Sequence, residues 1–157
     1  MAFDDLIKEF ASKSGMAGLE AQDGAAAVDI DGMRVALLHD RDSDAVLILG
    51  EVGAPPPEAE GRFAALLLQA NHLFRRTGGA TFAQNPETRS YVLMRAMPLP
   101  TLDAETLSAA LEAFVNTLER WRRLLADYRP SEENAAAAPP AADWGVPAFG
   151  SSGFMPV

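Results

Sequence analysis

The sequence predicts an α+β fold in the order α-β-β-β-α-β-β-α, a small antiparallel sheet packed with three helices. Three observations predict it. Apolar residues recur at helical spacing at both ends and in the middle of residues 1–129. Between those stretches, apolar and polar residues alternate over short runs, the period of a half-buried strand. Breaks rich in Gly or Pro separate the two kinds of pattern.

The first helix carries Phe3, Leu6, Ile7, Phe10 and Ala11 on one stripe, and Gly15 and Gly18 end it. Residues 25–31 alternate, with Val28 and Ile30 on one face and Asp29 and Asp31 on the other. Asp31-Gly32 is a hairpin signal, because such turns need positive φ. Met33, Val35 and Leu37 continue as the second strand, and the polar run His39–Asp44 reads as a turn. Val46-Leu47-Ile48-Leu49 is apolar on both faces, the pattern of a strand covered on both sides. After the Gly53–Pro57 break a second helix is expected from Glu58 to Arg76, with Phe63, Leu66, Leu67, Ala70, Leu73 and Phe74 on its stripe. Two strands follow near Thr81–Gln84 and Ser90–Met97, joined through Asn85-Pro86-Glu87. The last helix opens on Asp103 as N-cap, and Leu107, Leu111, Phe114, Leu118, Trp121, Leu125 and Tyr128 form its seam. Two seams of this length make dimerisation a reasonable expectation.

Charge is distributed unevenly. The 157 residues hold 13 basic and 22 acidic side chains, net −9. Residues 1–60 carry 13 acidic and 4 basic groups, residues 61–129 carry 6 and 9, and residues 130–157 carry 3 and none. An acidic chain without a basic stripe is a poor match for nucleic acid. The acidic first half fits a basic or positively steered partner instead. With no cysteine, disulfides, thiolate metal sites and a Cys nucleophile are excluded. The N-terminus is acidic with no long apolar stretch behind it, and no run approaches the ~20 residues of a membrane span. No membrane insertion and a cytoplasmic location are therefore expected. Residues 130–157 are dense in Ala, Pro and Gly and read as a tail to the 1–129 domain. Trp144, Phe149 and Phe154 punctuate it, so it is either a loose linker or a segment that docks on an apolar groove.

Catalytic and metal chemistry find little support. Asp40, Asp42, Asp44 and Glu51 match positions 1, 3, 5 and 12 of a calcium loop, but Ala45 stands where its glycine is needed and strand residues follow. An acidic hairpin tip accounts for them better. His39 and His72 lack partners at metal-ligand spacing and read as surface residues. No nucleophile, base and oxyanion site assemble, which predicts a non-enzyme with no metal and no cofactor.

Several phrases then resemble a known family. They are Phe3-x-x-Leu6-Ile7-x-x-Phe10, Val28-x-Ile30 with Met33-x-Val35-x-Leu37, and Leu67-Leu68-Gln69-Ala70-Asn71. A strand with Leu93 and Met94, the Pro98-Leu99-Pro100 break and Trp121-Arg122-Arg123-Leu124-Leu125 complete the set. In this order, over residues 1–129, the ensemble resembles the class I chaperones of bacterial type III secretion, the Tir-chaperone-like family. The resemblance implies a cytoplasmic homodimer without ATPase activity that binds the N-terminal, non-globular segment of a cognate secreted effector. It also implies an effector groove drawing on Leu6, Phe10, Leu19, Met33, Val35 and Leu37. The dimer contact it implies uses Phe63, Leu67, Phe74, Phe82, Val92 and Met94. The tail aromatics Trp144, Phe149 and Phe154 are expected to occupy the groove when no client is bound. The alternative reading is a small-ligand-binding or regulatory α+β domain acting through protein–protein contacts.

Overall fold

The computed structural model describes residues 2–16 and 18–128. The tail 130–157, with Trp144, Phe149 and Phe154, lies outside the described residues. Helix α1 (Phe3–Ser14) buries Phe3, Leu6, Ile7 and Phe10, and Gly15, at φ +71°, turns the chain out of it. Strands β1 (Ala25–Ile30) and β2 (Met33–Asp40) form the expected hairpin. Asp31 and Gly32 take φ +50° and +76°, the two left-handed positions such a turn requires.

Strand β2 runs three residues further than the pattern indicated. The turn is confined to residues 41–44, where the Asp40 carboxylate accepts from the Ser43 hydroxyl and the Asp42 amide. His39, expected at the surface, is instead in β2 and half-buried. Its ring stacks on Phe3 at 5.5 Å, and its Nε2 lies 3.3 Å from an Asp44 carboxylate oxygen.

Strand β3 (Ala45–Gly53) is central, and β4 (Thr81–Gln84) and β5 (Tyr91–Pro98) complete an antiparallel sheet in the order β1-β2-β3-β5-β4. Helix α3 (Ala104–Asp127) lies across β3 and packs against α1. Val46, Ile48 and Val52 of β3 are buried beneath it, whereas Leu47 and Leu49 point to the opposite face and are half-buried. The strand expected to be covered on both sides is thus covered on one side within the subunit.

Helix α2 (Glu60–Asn71), preceded by a 3-10 turn at Pro57–Ala59, is shorter than expected. It stops after Asn71 because Leu73 and Phe74 both adopt left-handed backbone, at φ +54° and +55°. That reversal takes Leu73 and Phe74 off the predicted core stripe and leaves them 57% and 52% exposed. Phe63 of α2 meets Tyr91 and Tyr128 edge-on at 5.6 and 5.2 Å, and Phe82 meets Trp121 at 4.8 Å.

The helix–sheet contact is closest at Gly50. A Cβ added there would stand 2.4 Å from Leu118 Cδ2 and 3.2 Å from Phe114 Cε1, both on side chains enclosed in the core. Gly50→Ala is therefore expected to lower stability by about 1–3 kcal/mol through overpacking, read as a lower urea midpoint. At the start of α3, Asp103 accepts a hydrogen bond from the Thr106 amide at 2.7 Å, and that bond holds its carboxyl below the usual aspartate range. A depressed carboxyl adds stability above its unfolded pKa and loses it as pH falls through the folded one. Asp103→Asn should keep the cap at neutral pH but flatten the loss of thermal stability between about pH 4 and pH 2.

Candidate functional site

The subunit offers two apolar surfaces at opposite margins of the sheet. The first lies where α1, α3 and the end of β1 meet. A groove of about 350 Å³ is lined there by Phe10, Met16, Ile30, Leu111 and Val115, with Asp31, Glu112, Ser108 and Asn116 around it. It lies at the C-terminal end of α1, where Gly15 turns the chain away and Met16 joins the lining. Neither Asp31 nor Glu112 belongs to an ion pair among the described residues, so the rim is acidic.

Strand β1 borders this groove and forms one margin of the sheet, with β2 as its strand partner. Ala25 bonds to Gln22 at its start. From Ala26 to Ile30 the outward backbone groups have no backbone partner among the described residues. An extended chain with alternate apolar side chains fits such an edge by strand addition.

The other margin is closed. The Asn71 side chain accepts from the Phe82 amide at 2.8 Å and donates to the Phe82 carbonyl at 3.2 Å. One carboxamide thus satisfies both backbone groups of the residue that would template a further strand on β4. The turn beyond β4 is held by Arg89, whose guanidinium lies 2.7 Å from Glu60 of α2. That contact holds the Glu60 carboxyl below its ordinary value.

The second apolar surface flanks this closed margin. Leu68 is 70% exposed and, with Ala64, Leu67, Phe82, Ala83 and Tyr91, outlines a cavity of about 210 Å³. Ala83 is registered against Val92, and Leu49 against Met94, so the apolar area continues onto the outer face of the sheet. Leu73 and Phe74 project beyond it.

The structure separates the residues assigned from sequence. Leu6, Phe10, Met33, Val35 and Leu37 are all buried in the core, and Leu19 is half-buried against it. Only Phe10 of these lines the groove, while the others sit beneath or beside it. Of the six dimer residues, Phe63, Leu67 and Phe82 are buried, Val92 and Met94 are half-buried on the outer face, and Phe74 is exposed. Sequence reasoning missed Leu68 and Leu73 as surface residues. For Leu68 a signal was present, since three consecutive leucines at 66–68 cannot all lie on one helical stripe. Among the described residues no group of three or more His, Asp or Glu side chains is placed to hold a metal. No described helix is long and apolar enough to cross a membrane.

Comparisons with known proteins bear on the family and the fold. The sequence profile of the Tir chaperone protein (CesT) family matches residues 5–122. Among solved structures, the chain is similar to one in the HopA1–SchA chaperone–effector complex, at 19% identity and a TM-score of 0.65, covering 77% of this chain and 93% of that one. It is similar to the Yersinia pestis type III secretion chaperone SycH, solved with a stable fragment of YscM2 (18% identity, TM-score 0.60, 76% and 99% covered). YbjN from E. coli shares the fold at 13% identity and a TM-score of 0.58, with 78% and 90% covered. No curated protein sequence matches this chain.

Asn71→Ala is expected to leave the Phe82 amide and carbonyl without their partner, at a cost of about 1–3 kcal/mol. Hydrogen exchange should show the loss first at the Phe82 amide, ahead of Leu93 in the neighbouring strand.

Proposed function

The chain belongs to the Tir chaperone protein (CesT) family, and from that premise we propose that it is a type III secretion chaperone. It binds the N-terminal, non-globular segment of a cognate effector and keeps that segment soluble and ready for export. The role is non-catalytic and is exercised in the bacterial cytoplasm. The observation that carries this reading is the open β1 edge beside an apolar, acid-rimmed groove. An extended segment is accommodated by such a pair: its backbone adds to the edge and its apolar side chains enter the groove. A compact small ligand would use the groove alone and have no use for the edge.

Leu6, Met33, Val35 and Leu37 support this site from the core, and Phe10 with Ile30, Leu111 and Val115 is its contact surface. Asp31 and Glu112 favour clients with basic residues flanking the apolar ones. The second apolar surface is assigned to a second copy of the chain. Leu68, Phe74, Val92 and Met94 supply its contacts, while Phe63, Leu67 and Phe82 hold α2 and β4 in place beneath them.

Two substitutions at exposed groove positions, Ser108→Arg and Asn116→Arg, test the client site without touching the core. With the N-terminal segment of a secreted effector from the same bacterium as ligand, each should weaken binding at least tenfold by calorimetry. Unchanged affinity would remove the groove from the function. In sedimentation the protein should have twice the 16.7 kDa chain mass, and Leu68→Asp with Phe74→Asp should return it to the chain mass. A wild-type monomer would overturn the second assignment.

A further inference from the structure

One cluster remains outside both apolar surfaces. Arg75, Arg76 and Arg120 surround a cavity of about 200 Å³ whose other walls are Trp121 and Leu124. The Arg76 guanidinium lies over the Trp121 ring, 5.2 Å from its centroid. The Trp121 indole in turn donates to the Arg76 carbonyl at 3.1 Å, fixing the loop that carries Arg75 and Arg76 against α3. Among the described residues none of the three guanidiniums belongs to an ion pair, although the chain as a whole carries net charge −9. Three exposed cations around one apolar floor make a positive patch that attracts an anion.

The sequence supplies an anionic segment close by. Residues 130–157 hold Glu132, Glu133 and Asp143 and no basic residue. Helix α3 ends at Asp127, seven residues beyond Arg120, which is about 10 Å of helical rise. The residues from Tyr128 to Glu132 span up to about 17 Å when extended, so both glutamates reach back to the cluster. A tether this short gives an effective concentration in the millimolar range, far above that of a free acidic peptide.

We propose that the acidic stretch 131–144 of the same chain folds back onto Arg75, Arg76 and Arg120. Glu132 and Glu133 pair with the guanidiniums there, and the alanines between them and Asp143 lie against Trp121 and Leu124. The assignment is independent of the client groove, which lies at the opposite margin of the sheet.

A spin label tests it in the full-length chain. Because the protein has no cysteine, Asn134→Cys carries a nitroxide at one site. In the 15N-labelled protein, the amides of residues 73–76 and 120–124 should lose more than half their intensity, recovering on reduction of the label. The loss should disappear in Arg75→Gln/Arg76→Gln/Arg120→Gln, whose exposed substitutions leave the rest of the spectrum in place, and in 0.5 M salt. Broadening that persists in the triple variant would overturn the proposal, as would broadening centred on Phe10, Ile30 and Val115. A sample mixing spin-labelled 14N chains with unlabelled-thiol-free 15N chains separates the remaining source. Broadening of equal strength in that mixture would assign the contact to a second copy and overturn the intramolecular form.

Discussion

At Gly50 the backbone of β3 lies directly beneath the Leu118 and Phe114 side chains of α3, with no side chain of its own between, and the other elements are arranged around that contact. The glycine admits Leu118 and Phe114 to the sheet surface, where Val46, Ile48 and Val52 receive the rest of the helical seam. With α3 fixed at that depth, α1 packs beside it, and the groove lies between Phe10 of one helix and Val115 of the other. Further along the same helix, Trp121 reaches the loop after α2 and holds it through the Arg76 carbonyl. One close approach in the middle of the sheet therefore places features at both of its margins.

Those margins are chemically unlike. The β1 margin is acidic, has backbone groups without a backbone partner among the described residues, and borders an apolar groove. The β4 margin is sealed by Asn71, flanked by the Arg89–Glu60 pair, and neighboured by exposed Leu68 and Phe74. A surface that offers backbone hydrogen bonds selects extended chain over folded partners. A surface that offers only side chains selects a preformed shape, which a second copy of the same fold provides. The proposed division of labour between client binding and self-association rests on this difference.

Much of the architecture was legible because local chemistry dictated it. Asp31-Gly32 set the first hairpin, Asp103 the start of α3, and the 3.6-residue seam from Leu107 to Trp121 its buried face. The end of α2 was not legible, since its helical stripe continues through Leu73 and Phe74 while the backbone reverses there. Tertiary contacts of Asn71 and Trp121 on either side of the reversal accompany it, and neither has a local signature. The site was legible in outline only. Met33, Val35 and Leu37 form one coherent apolar face, but periodicity does not distinguish a face turned to the subunit's own helices from one turned to a partner. The apolar outer residues Leu47 and Leu49 were the better indication, because a strand apolar on both sides needs cover that one layer of helices does not give.

The Asn71 carboxamide also sets the valency of the sheet. A sheet with two free margins can take up strands from both sides and propagate into a fibre. With the β4 margin stoppered at Phe82, a sheet cannot run through the subunit from one margin to the other, and any added strand has only the β1 side to join. The subunit is thereby an end cap on its β4 side, whatever joins it on the other.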